Sequence, residues 1–247
     1  MIEPNQADPS AAQAQGVGAG GFRGPLFAAV ATTALVTALS YFLPDNFAAT
    51  GVGLGFLAAT YWLALRRESD PAQYGLSLGG LLESRALVPR RLLSDTLQAT
   101  LWAFGLALVI FPAFWFGWLS WWKPNHGFSA TFPPNLWDEA LGQLLVIALP
   151  EEAFYRGYLQ SALDKARSPK VRFLGAQLGW GVLISSALFA LGHLATDVNP
   201  NRLAVFFPAL VFGYLRARTG GVGAGIVFHA LCNIFATFLA RSYGFAN

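Results

Sequence analysis

Three groups of residues, each with a four-residue spacing, stand in otherwise apolar stretches of the C-terminal half: Glu151 and Glu152 with Arg156, Phe189 with His193, and His229 with Asn233. An ionisable side chain in hydrocarbon costs at least a few kcal/mol by insertion scales, so each is a functional hypothesis. At 100° per residue on a helix, Arg156 lies about 140° from Glu151 but about 40° from Glu152, its i,i+4 neighbour. Arg156 is therefore expected to pair with Glu152, leaving Glu151 without a neutralising partner on its own helix and suited to act as a general base towards water. His193 shares a helix face with Phe189, and His229 with Asn233. An imidazole N–H and an amide donor are what stabilisation of an oxyanion needs. One carboxylate, two imidazoles and an amide, brought by three helices into a dry interior, suit activation of water and hydrolysis of a peptide bond.

Each group also has a plainer reading. Glu152 and Arg156 make a structural ion pair that supports the site rather than reacts in it. A single His in an apolar run is more often a hydrogen-bonded packing residue, and Asn233 alone could bridge helices. Joint occurrence favours a site, because the chain has only three His and two of them fall inside apolar spans at matched spacing. His126, in a Trp-rich loop, is read as a bystander. Two His and a Glu could also hold zinc, but no helix carries the His-Glu-x-x-His pattern of zinc proteases. The expected site has no metal or other cofactor, with zinc as the minor alternative.

The elements that must position these residues are membrane helices. The 247 residues are 55% hydrophobic and 12% charged, with a mean hydropathy of +0.47. A soluble domain has roughly 25% charged residues, so a water-soluble enzyme is disfavoured. The expected fold is all-α and polytopic, with about seven transmembrane helices and the catalytic core in the last four. The spans are expected at Leu26 to Leu43, Phe47 to Leu65, Leu97 to Leu119, Trp137 to Leu163, Phe173 to Ala195, Leu203 to Leu215 and Gly220 to Ala240. Residues 1–22, rich in Ala, Gln, Gly and Pro, read as a disordered tail ahead of a membrane domain at 23–247. Arg66 to Asp95 reads as a polar loop containing an interfacial helix. No internal repeat is evident, which argues against a transporter.

The net charge of +3 accompanies no nucleic-acid-binding motif, and the basic residues read as topology signals. Twelve Lys and Arg, from Arg23 to Arg218, fall in one set of alternate loops, while Lys123, Arg202 and Arg241 fall in the other. The bias points to a multi-pass protein of the cell (inner) membrane with a cytoplasmic N-terminus. Cys232, the single cysteine, reads as packing. One geometric conflict arises. Glu151 lies about 14 residues, roughly 21 Å, along an inward-running helix, whereas His193 lies near the outer end of the next. The two meet only if the fourth helix begins outside the hydrocarbon or the site opens as a cavity.

In order and spacing, Glu151-Glu152-x-x-x-Arg156, Phe189-x-x-x-His193 and His229-x-x-x-Asn233 resemble the three motifs of the CAAX prenyl protease and bacteriocin-processing (CPBP, or Abi) family of intramembrane glutamic endopeptidases. The resemblance covers about residues 138–240, and Tyr74-Gly75-Leu76 looks like a short upstream element of bacterial members. It implies that Glu151 and His193 orient and deprotonate the attacking water, that His229 and Asn233 form the oxyanion hole, and that Glu152, Arg156 and Phe189 support them without metal. The implied partner, besides the lipid bilayer, is a membrane-anchored or lipidated protein or peptide. An Ala- and Gly-rich chain looks bacterial, which makes removal of C-terminal sorting or CAAX-like tails a natural role. A non-enzymatic membrane immunity or scaffold protein is the alternative.

Overall fold

The computed structural model describes residues 21–66 and 70–245. Most of the expected N-terminal tail, together with Arg67 and Glu68, lies outside the described residues. Among those described, seven helical runs of at least 14 residues follow one another. They are α1 (Arg23–Phe42), α2 (Asp45–Thr60, prolonged by a π turn at Tyr61–Leu65), α3 (Pro89–Trp122), α4 (136–166), α5 (Trp180–Thr196), α6 (Phe206–Thr219) and α7 (Gly223–Ser242). Four of these, α1, α2 with its π turn, α3 and α7, are each long and apolar enough to cross a bilayer. Large apolar side chains such as Phe42, Leu108, Val109 and Phe116 stand more than two-thirds exposed, a surface made for lipid. The protein is an all-α polytopic membrane protein.

Two boundaries differ from the sequence expectation. The helix expected from Phe173 starts at Trp180, and the residues before it form a hairpin, β1 (Val171–Phe173) against β2 (Ala176–Leu178). Its two-residue turn is Leu174-Gly175, both at positive φ, a primed-turn geometry that the sequence does not announce because Leu seldom adopts it. The expected interfacial helix is instead the first part of α3, whose 34 residues make a rod about 51 Å long. The loop before it is built of short 3-10 turns at Pro71–Tyr74 and Leu78–Gly80.

The helix ends alternate between two faces. At the Arg-rich end, Lys165 donates to Gln73 at 3.3 Å, Arg216 to Ser161 at 3.0 Å, and the Val222 amide to the Gly75 carbonyl at 3.0 Å. At the opposite end, Tyr41 Oη donates to the Ala195 carbonyl and the Ser129 amide to the Ser242 carbonyl, each at 2.9 Å.

The central element is α4. Every residue from Ala153 to Gln160 is buried, the signature of a helix enclosed on all sides. Its polar groups therefore have only protein to bond. Arg156 Nη2 donates to the Ala209 carbonyl at 3.0 Å, and one turn on Gln160 Nε2 donates to the Gly213 carbonyl at 3.1 Å, two rungs that tie α4 to α6. On the α2 side, Phe56 packs on Phe154 and Tyr155 with ring centroids 5.3 and 5.5 Å apart. Pro150 has no amide to give the Val146 carbonyl. That carbonyl faces Gly53, where a Cβ would come within 2.7 Å, so only Gly lets α2 approach here.

Candidate active site

The run α4 is not a regular helix. π turns at Gly142–Ala148 and Ala153–Gln160 flank the short α segment Leu149–Glu152 that carries both glutamates. Such bulges open the backbone ladder and rotate the side-chain faces, and they recur at functional sites.

Glu152 points into the packed interior. It is completely buried, and its Oε1 accepts from Arg156 Nη1 at 3.0 Å and lies 3.1 Å from His229 Nδ1. Since an ionised carboxylate can only accept, Nδ1 of His229 carries the hydrogen. Arg156 is itself fully buried, with its guanidinium carbon 4.6 Å from the centre of the Phe189 ring and 5.1 Å from that of Phe212. The His229 ring stacks on Phe212 at 4.7 Å and 15° and meets the edge of Phe189. Arg156, Glu152 and His229 thus form a hydrogen-bonded chain between two aromatic walls. A Cβ at position 225 would sit 3.1 Å from Glu152 Oε2, so Gly225 leaves the room that the carboxylate uses.

The other end of His229 turns towards Glu151. Its Nε2 is 3.8 Å from Glu151 Oε2, a buried oxygen with no hydrogen-bond partner. Glu151 lines a cavity of about 530 Å³ together with His193, Asn233 and Gln143. In the last turn of α5, His193 Nδ1 is 3.0 Å from the Phe189 carbonyl. A carbonyl accepts, so Nδ1 is the protonated nitrogen and Nε2 of the neutral ring is left as an acceptor. Asn233 Nδ2 donates to Gln143 Oε1 at 2.8 Å, which uses one amide hydrogen and leaves the second.

All seven residues singled out by type and spacing therefore lie in one connected constellation. Glu151, His193 and Asn233 line the cavity, and His229 touches both glutamates. Glu152, Arg156 and Phe189 stand behind them. The conflict in depth between Glu151 and His193 is resolved by the cavity, which runs alongside α4 from its middle towards the Arg-poor end and is lined by both.

Other lining residues carried no signal of their own. Gln143 sits two turns before Glu151 in an apolar run. From α1, Thr33, Thr37 and Ser40 present hydroxyls at i, i+4 and i+7, and Thr33 Oγ1 is 2.9 Å from the Tyr155 hydroxyl. Hydroxyls are common in membrane helices, so their spacing is uninformative until the partner helix is known. Arg202, read as an orientation charge, also lines the cavity. Cys232, half-buried, packs against the core. Among the described residues, no group of three or more His, Cys, Asp or Glu is arranged to hold a metal ion.

Residues 133–235 match the family model described as Rce1-like, type II CAAX prenyl endopeptidase. No curated protein and no solved structure matches the chain. The matched segment, less than half of the chain, runs from the loop before α4 into α7 and contains all three motifs; in this segment the chain is similar to the Rce1-like CAAX prenyl endopeptidases.

Proposed function

We propose that the protein is an intramembrane glutamic endopeptidase that uses Glu151 and His193 to activate water against a peptide bond of a membrane-anchored or lipidated substrate, without a metal. The observation that carries this reading is the shared cavity: Glu151, whose buried Oε2 has no hydrogen-bond partner, the His193 imidazole and the Asn233 amide line one space.

Two acceptors facing one cavity suit a water molecule, which has two hydrogens to donate. Glu151 takes a proton as the oxygen attacks the carbonyl carbon, while Nε2 of His193 holds the second hydrogen and aims the lone pair. Negative charge then develops on the carbonyl oxygen. Asn233 offers its remaining N–H, and His229, on the preceding turn of α7, offers a ring N–H. Glu151 passes its proton to the departing amine, C–N cleavage follows, and the carboxylate is regenerated. The orientation with a cytoplasmic N-terminus, combined with a cavity near the Arg-poor end, makes tails on the exported side of the inner membrane the natural substrates. Removal of C-terminal sorting or CAAX-like tails fits that position.

The test is cleavage of quenched fluorescent peptides by the purified protein in lipid nanodiscs. Glu151→Gln and His193→Ala are expected to lower kcat at least a hundredfold while remaining folded. Near-wild-type turnover by either variant overturns the mechanism, and full biological effect in Glu151→Gln cells would favour a non-enzymatic immunity or scaffold role.

A further inference from the structure

Arg202 is the cationic side chain among those lining the cavity that holds Glu151 and His193. It belongs to the Arg-poor set of loops and is carried on the 3-10 turn Pro200–Val205, between α5 and α6. That turn is well anchored: Pro200 starts it, and the Asn199 side chain accepts from the Asn201 amide at 3.1 Å. Arg202, Glu151 and His193 line the same cavity.

Its present partner is weakly held. Arg202 Nε lies 3.3 Å from Asp197 Oδ2, and both side chains are about half exposed. An exposed pair of this kind contributes only about 0–1 kcal/mol. Its contact is at Nε, so the terminal nitrogens of the fork remain, and a guanidinium fork matches a carboxylate in bidentate fashion. A cavity that already contains Glu151 repels a second anion unless a cation receives it. Arg202 is the side chain that can do so.

We propose that Arg202 is a specificity-determining residue that binds a carboxylate of the substrate peptide inside the cavity, so that the preferred substrates carry a carboxylate within a few residues of the scissile bond. This deepens the endopeptidase reading and rests on it. The carboxylate has two possible sources, a free C-terminus or an Asp or Glu side chain.

The experiment uses the full chain in nanodiscs and three peptides of one sequence: free acid, C-terminal amide, and amide with an added Asp. Binding is measured by fluorescence anisotropy on the Glu151→Gln protein, and cleavage on the wild type. The free acid is expected to bind about tenfold more tightly than the plain amide. Arg202→Gln should abolish that difference, raising KM for the acid with kcat within about twofold. Asp197→Asn, which releases the guanidinium, should lower KM for the acid. Tight binding of the Asp-bearing amide would identify a side-chain carboxylate as the recognised group, and weak binding the C-terminus; either supports the proposal. Equal effects of Arg202→Gln on acid and plain amide, or none on either, overturn it. If wild-type protein cleaves nothing while the binding difference persists, the endopeptidase reading fails and the carboxylate site stands.

Discussion

His229 joins the two adjacent glutamates: its Nδ1 lies 3.1 Å from Glu152 Oε1 and its Nε2 lies 3.8 Å from Glu151 Oε2. Neighbours in sequence thus have different surroundings. Glu152 is fully buried and bonded to Arg156 through Oε1, whereas Glu151 lines the cavity. The imidazole carries the electrostatic connection between them.

That division predicts different behaviour on neutralising each glutamate. Glu152→Gln leaves the fully buried Arg156 charge uncompensated, and breaking a buried pair costs about 3–5 kcal/mol. Thermal unfolding in detergent should show a marked loss of stability together with lost activity. Glu151→Gln removes activity but should melt with the wild type or above it. Equal melting temperatures for all three proteins would contradict the assignment of Glu152 to the interior.

Gln143 holds Asn233 through the 2.8 Å bond across α4 and α7. Gln143→Leu should lower kcat by about tenfold, less than the hundredfold or more expected for loss of an oxyanion donor itself. KM should change little, because the bond orients the amide rather than the substrate. Steady-state kinetics separates the two, and an unchanged kcat would show that Asn233 is oriented by other means.

Gly225 makes room for Glu152 Oε2, so a larger residue there must displace a charged group that has nowhere to go. Gly225→Val is expected to destabilise by about 1–3 kcal/mol, as overpacking does, and to cut activity through the shifted carboxylate. A melting curve and a turnover assay on the same preparation test both parts.

Metal-free catalysis predicts that dialysis against a strong zinc chelator leaves the cleavage rate unchanged. Here Glu152 Oε1 is bonded by Arg156 and His229, and His229 Nδ1 is used in the same contact, so these donors are committed to each other. Loss of activity on chelation, restored by zinc, would refute this.

The class of fold was legible in the sequence, and so were the residues proposed for the site. Scarcity of charge made this possible: once the loop charges were set aside, Glu151, Glu152 and Arg156 were the charged groups left deep in the spans, and the 3.6-residue period fixed which of them could pair. Periodicity did not reach the elements that depend on contacts between distant segments. The β1–β2 hairpin turns on a Leu at positive φ, which local propensity disfavours, and the continuation of α3 through a polar stretch contradicts a hydropathy boundary. Tertiary structure alone decided that His229 contacts both glutamates, that Gln143 secures Asn233, that α1 supplies a hydroxyl-lined wall, and that Arg202 reaches the cavity. The reason is physical. A helix wheel gives the angle between residues on one rod, but distances between rods follow from packing, here from the π turns of α4 and the close approaches allowed at Gly53 and Gly225.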